Sequence, residues 1–153
     1  MIINTESPEQ SEVRAMLAQL DAYHAELYPA RSDHLPGVDA LLRDDALFLV
    51  ARDVDGSAVG CAALVNRHAD GEHYGEVKRM FVDAARRGLG AGRELLEHLT
   101  MFARMAGIGI LRLETGVHQS AALALYEHAG FVRRAPFGDG GDDPLSVFME
   151  KRL

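Results

Sequence analysis

The sequence has one cysteine, Cys61, in 153 residues. A single thiol excludes an internal disulfide and fits a reducing compartment, so a cytoplasmic location is the expectation. No apolar run approaches the ~20 residues that a membrane span needs. The opening "MIINTESPEQ" has neither the basic nor the apolar segment of a signal peptide, so no membrane partner is expected. Positive charge is scarce too. Lys and Arg number 16 against 23 Asp and Glu, for a net charge of −7, which argues against nucleic acid as a partner. Seven histidines occur, but none shows HExxH or other zinc spacing, so no metal is expected.

What is present suits a soluble globular protein: 48% hydrophobic and 25% charged residues. The length fits one domain, taken as 1–153, with no repeat, low-complexity tract or linker. The scarce positive charge is also concentrated. Between Lys78 and Arg93 there are five basic residues (Lys78, Arg79, Arg86, Arg87, Arg93) and one acid, Asp83. Such a segment is either a local anion site or a solvated face.

Periodicity supplies the elements. Ser7 as N-cap, Pro8 at the first helical position and Gln10 completing a capping box predict a helix. It carries Val13, Met16, Leu17, Leu20, Tyr23, His24 and Leu27 at helical spacing. "VDALLRDD" predicts a short helix. "ALFLVARD" and "SAVGCAALVNR" read as strands joined by an Asp55-Gly56 hairpin, with "YGEVKRMFV" as the third strand of the meander. Leu95, Leu96, Leu99, Phe102, Ala103 and Ala106 mark an amphipathic helix. "IGILRLET" is a strand, and "SAALALYEHAG" a short helix stopped by Gly130. "FVRRA" and "LSVFMEKRL" close the chain as strands. Met80, Met101 and Met105 read as core, and Cys61 as a buried small residue. Together these predict one mixed α/β (α+β) domain.

In "AARRGLGAGRELLEHL", Gly88, Gly90 and Gly92 alternate immediately before a helix. A helix start has unpaired N–H groups and partial positive charge, and glycines allow close approach, so the stretch reads as a phosphate site. Arg87 and Arg93 add charge. It is not a P-loop, because no Lys-Ser or Lys-Thr follows, which weakens a nucleotide-binding reading. It is not a GxGxxG fingerprint either, because Arg93 stands at the third glycine position.

"RGLGAG" fits the [QR]-x-x-G-x-[GA] signature of the GNAT superfamily of acyl-CoA-dependent N-acetyltransferases. "MFVDAARRGLGAGRELL" resembles that superfamily's strand, pyrophosphate loop and helix in register. "QSAALALYEHAGF" is similar to its N-x-x-A-x-x-L-Y-x-x-x-G-F segment. The resemblance runs from about Ala46 to the C-terminus, with Gln119 where the family has Asn and Ala84 where proline is frequent. It implies a central, mostly antiparallel sheet of six or seven strands with a splayed central strand pair, flanked by about four helices. It also implies acetyl-CoA as co-substrate. Its pyrophosphate would lie on Arg87, Gly88, Leu89, Gly90, Ala91 and Gly92. Its pantetheine would pair with the backbone of Met80, Phe81 and Val82. Gln119 would be a further contact.

Acetyl transfer to an amine needs a base for the amine proton, a donor to the thioester oxygen and an acid for the thiolate. Glu76 matches the position of a catalytic glutamate in several relatives, and Tyr126 matches the tyrosine of the L-Y pair. Glu114 is a rival base and His118 a weaker one. A salt bridge for Glu76 and a packing role for Tyr126 are the alternative readings. At period 2, Glu76, Lys78 and Met80 are expected on one strand face, and Val77, Arg79 and Phe81 on the other. The resemblance places the acceptor among the first two helices and two loops. There Tyr28, Arg31 and His34 stand in "YPARSDHLPG", and Asp139, Asp142 and Asp143 in "PFGDGGDDP". Arg31, Lys78 or Arg79 suit a carboxylate, and an acidic loop suits a cationic amine. A small amine, an amino acid, an aminoglycoside-type drug and a protein amine stay open. The reading is an N-acetyltransferase acting on an amine, a small molecule or amino acid-like one first. The alternative is a non-catalytic acyl-CoA-binding or sensing module. A homodimer is expected through "LSVFMEKRL" as an uncovered edge strand.

Overall fold

The computed structural model describes residues 1–29, 37–43, 46–69, 71–138 and 143–153. The elements follow as β1 (Ile2–Thr5), α1 (Ser11–Leu27), α2 (Val38–Arg43), β2 (Leu47–Arg52), β3 (Ala58–Ala69), β4 (Glu72–Val82), α3 (Ala91–Met105), β5 (Ile110–Gly116), α4 (Ser120–His128), β6 (Val132–Arg134) and β7 (Ser146–Arg152). A 3-10 turn, Ala84–Arg86, lies between β4 and α3. Arg31, His34, Asp139 and Asp142 fall outside the described residues. No helix among the described residues is long and apolar enough to cross a membrane.

The strands form one seven-stranded sheet in the order β1-β2-β3-β4-β5-β7-β6. Every pairing is antiparallel except β4 with β5, so the expected mixed fold with about four helices is the one observed. Alternation in β2 sorts the core by face. Leu49 and Ala51 join the cluster under α3 and α4, with Leu95, Leu96, Leu99, Leu111, Leu113 and Tyr126. Phe48 and Val50 join the cluster under α1 and α2, with Val13, Met16, Leu17, Leu20, Leu41 and Phe81. With a cluster on each face, Val59 to Val65 in β3 are all buried, which explains an apolar run without alternation.

Several local expectations are corrected. Helix α1 begins at Ser11. Ser7 Oγ accepts from the Glu9 N–H, and the Gln10 side chain bonds Glu6 and the Ser7 carbonyl. These side chains make a turn ahead of the helix, so no capping box forms. Tyr23 is exposed on that helix. Met101 and Met105 are exposed as well, one turn apart on the outer side of α3. Strand β7 is not an edge: β6 pairs along it from Val132↔Glu150 to Arg134↔Phe148, which removes the premise of edge pairing there.

Candidate active site

The only parallel pair among the described strands carries the site. Strands β4 and β5 are in register at Gly75↔Leu111 and Glu76↔Arg112 and nowhere beyond. From Val77 onward no strand among the described residues lies beside the β4 edge on that side, although β4 continues to Val82. Unpaired backbone at a sheet edge calls for a partner, which an extended chain can supply. The parting opens a cleft of about 860 Å³.

A bulge decides which β4 side chains face it. Cys61 pairs with Phe81 but Ala63 pairs with Lys78, so Arg79 and Met80 together oppose Ala62. Arg79 takes up the extra residue at φ 56, in the left-handed region that a non-glycine residue rarely adopts. The alternation breaks there. Val77 and Met80 belong with the α3 cluster, whereas Phe81 lies in the α1 cluster. The expected single face of Glu76, Lys78 and Met80 is therefore corrected: Met80 turns to the opposite face, and Val77 and Phe81 part company. Arg79 turns toward α1. Its Nη1 meets Asp21 Oδ1 at 2.8 Å, and its Nη2 donates to the Leu17 carbonyl at 3.2 Å. Its Nε is buried without a hydrogen-bond partner among the described residues.

The loop after β4 leads through a 3-10 turn into the start of α3. Asp83 accepts from the Ala85 N–H, Arg86 pairs with Asp53, and Arg87 Nε donates to the Val82 carbonyl at 3.3 Å. Gly88 and Gly90 take φ of 84 and 88, which their missing Cβ allows. Gly90 is the N-cap of α3, and among the described residues no side-chain hydrogen bond caps that helix, so its first amides are open to a ligand or water. Leu89 and Arg93 are exposed. Ala91 is buried. A Cβ on Gly92 would lie 2.9 Å from Leu125 Cδ2, so this glycine lets α3 pack on α4.

Helix α4 delivers Tyr126 to the cleft. The Phe131 N–H reaches back to the Tyr126 carbonyl at 3.0 Å and the Gly130 N–H to Glu127 at 3.1 Å, with Gly130 at φ 96, a Schellman end. The Phe131 ring closes edge-on against Tyr126 at 5.8 Å. Tyr126 is 6% exposed, and burial raises its phenol above the usual value. It lines the cleft together with Glu76, Lys78, Met80, Glu114, Gln119 and Tyr28. Phe81, Val82 and Arg87 to Gly92 are not among the cleft-lining residues.

The carboxylates and the α1 end are engaged. Glu76 accepts from Arg67 Nε at 3.1 Å and lies 3.5 Å from Lys78 Nζ. Glu114 accepts from Ser146 Oγ at 2.6 Å. Asp143 accepts from the Leu145 N–H at 2.8 Å. Gln119 accepts from the Gly116 N–H at 2.9 Å and sits 3.2 Å from His24 Nε2. The Tyr28 hydroxyl accepts from the His118 N–H at 3.0 Å, and the two rings stack. Burial pushes the Cys61 thiol up to about 12, against a smaller opposing pull from Arg79, which suits an inert core residue. Among the described residues no cluster of three His, Cys, Asp or Glu could hold a metal.

Sequence reasoning missed Arg67, Tyr74, Phe137 and His24, all of which line the cleft. Arg67 is findable as the cross-strand partner of Tyr74 once the β3–β4 register is known. Phe137 stands in a loop and carries no periodic signal.

Known proteins share this architecture. The model of the acetyltransferase (GNAT) family matches residues 12–131. An IAA acetyltransferase of Azospirillum brasilense is 50% identical over 151 residues, 99% of this chain and 97% of that one. A crystal structure from Klebsiella pneumoniae, described as an acyl-CoA N-acyltransferase, superposes with a TM-score of 0.82 at 39% identity, covering 99% of this chain and 97% of the other. An aminoglycoside 6'-N-acetyltransferase complexed with coenzyme A shares the fold at a TM-score of 0.70 and 16% identity, over 99% and 97% of the two chains.

Proposed function

The chain belongs to the GNAT acetyltransferase family and is an acyltransferase; from that premise we propose that it moves the acetyl group of acetyl-CoA directly to the amine of a small molecule. One observation carries the reading. Strands β4 and β5 part just after Glu76, and the cleft they open is lined by both Glu76 and Tyr126.

The uncapped start of α3 would take the pyrophosphate on its first amides, with Arg87 and Arg93 nearby. The free edge of β4 would take the pantetheine arm as an added strand. That arrangement brings the thioester to the level of Met80, where a backbone N–H can meet the carbonyl oxygen as charge develops. Glu76 accepts the proton that the amine loses. The amine nitrogen then bonds to the carbonyl carbon, and the carbon–sulfur bond breaks. Tyr126 returns a proton to the departing thiolate. Burial favours the neutral phenol, so at pH 7 this group stays a donor.

The name of the Azospirillum relative, which aligns along nearly the whole chain, supports a small-molecule acceptor over a protein one. The test is acetyl-CoA with a broad panel of amines, following thiol release and acetyl-CoA affinity together. Turnover on one amine class supports the reading. Tight binding with no turnover on any amine would favour an acyl-CoA-binding module.

A further inference from the structure

Glu76 shares one carboxylate between two cations. Arg67 Nε makes a hydrogen bond to it at 3.1 Å, and Lys78 Nζ stands off at 3.5 Å. The longer contact is too long for a strong charge-assisted bond. Among the described residues, Lys78 thus lines the cleft as an ammonium with only the weaker share of one carboxylate.

Among the described residues, the other charges lining the cleft have partners of their own. Arg79 is taken up by Asp21 and the Leu17 carbonyl of α1. Glu114 is bonded to Ser146, Asp143 to the Leu145 N–H, and His24 faces Gln119. Leu20, Tyr74 and Phe137 give the cleft an apolar wall, with the Phe137 ring edge-on to Tyr74 at 5.5 Å.

Resting on the acetyl-transfer reading above, we propose that the acceptor is a small amine that also carries a carboxylate, and that Lys78 binds that carboxylate and sets specificity. A molecule with ammonium and carboxylate presents the Glu76–Lys78 pair with its own charges reversed. It can exchange partners with that pair, ammonium to Glu76 and carboxylate to Lys78, and leave no charge unpaired. An amine without an acidic group meets Glu76 only in competition with two cations and leaves Lys78 unanswered. The partner exchange also delivers the amine to the base, so one contact sets both affinity and orientation. The apolar wall suits an amino acid with an apolar side chain.

Matched pairs test this: phenylalanine against phenylalaninamide and methionine against methioninamide, with acetyl-CoA, below the amine pKa of both members so that each enters as an ammonium. The wild-type protein should favour the acid in kcat/KM by about 10- to 100-fold, the range of a charge-assisted hydrogen bond. Lys78→Gln should bring that ratio to near one, and Lys78→Arg should keep it. A wild-type ratio of one or less, or an unchanged ratio in Lys78→Gln, would overturn the proposal. Turnover confined to amines lacking a carboxylate would overturn it while leaving acetyl transfer standing. No turnover on any amine would overturn both.

Discussion

Gly116 ends β5 where the Tyr28 hydroxyl meets the β5–α4 loop. A Cβ built there would fall inside the Tyr28 hydroxyl and Cζ and lie 2.7 Å from Gln119 Oε1. Gly116→Ala therefore has to move Tyr28, which is 6% exposed and accepts the His118 N–H. The lost hydrogen bond costs about 0.5–1.5 kcal/mol and the overpacking about 1–3, so the sum is about 2–4 kcal/mol. For a chain of this length that is a fall in Tm of about 5–15 °C. The assay is thermal unfolding of Gly116→Ala alone and in a Tyr28→Leu background. Leucine has no atoms where the clash occurs, so there the second substitution should cost under ~0.5 kcal/mol, as non-additivity between contacting residues requires. Because Tyr28 ties the end of α1 to the cleft, the single variant should also raise the acceptor KM more than that for acetyl-CoA. A Tm within about 1 °C of wild type, or an equal cost in both backgrounds, would refute the reasoning.

Gly90→Val places a β-branched residue at φ 88, so acetyl-CoA affinity measured by calorimetry should drop sharply; an unchanged affinity would remove the pyrophosphate from this loop. Tyr126→Phe keeps the ring and its contact with Phe131, so Tm should hold while turnover falls by about 10²–10⁴-fold; unchanged turnover would show that the thiolate takes its proton elsewhere. Glu76→Gln should lower turnover and flatten the acid limb of the pH–rate profile, with little effect on acetyl-CoA affinity; a normal limb would move the base to Glu114 or to water. The Arg52 hydrogen bonds hold the Glu6 carboxyl below its ordinary value, against an opposing push from burial. That pair stabilises the fold above the unfolded-state pKa, and the contribution is lost as pH falls through the lower folded value. Urea midpoints from pH 6 to pH 3 should fall more steeply for wild type than for Glu6→Gln, and parallel curves would count against the pair.

The parts of this protein that could be read from sequence are those governed by residues close along the chain. Gly88 and Gly90 before a helical pattern, and Gly130 after one, mark helix ends through local φ and capping, and the structure bears out all three conformations. The Asp55-Gly56 hairpin is equally local, with Gly56 at φ 86. What escaped depends on partners far away in sequence. The bulge at Arg79 exists because β4 has one residue more than β3 opposite Ala62, and nothing within "YGEVKRMFV" announces it. Met80 therefore turned to the other face and Arg79 to α1. Met101 and Met105 looked like core because methionine is apolar, but the face they occupy on α3 is set by where the sheet lies. Gln119 aligns with the family's asparagine, and the structure shows its amide bonded to the Gly116 N–H and facing His24, contacts that the sequence pattern does not show. The pairing of Glu76 with both Arg67 and Lys78 became visible only with the β3–β4 register, since Arg67 lies across the hairpin.

The most direct test of the central claim is to incubate the protein with acetyl-CoA isotopically labelled in the acetyl group and a pool of small amines, then identify the labelled product by mass spectrometry. The account predicts one product class with a single labelled acetyl on nitrogen, formed in step with free coenzyme A. Labelled acetyl-CoA that stays bound and intact with every amine, or label found only on the protein, would contradict it.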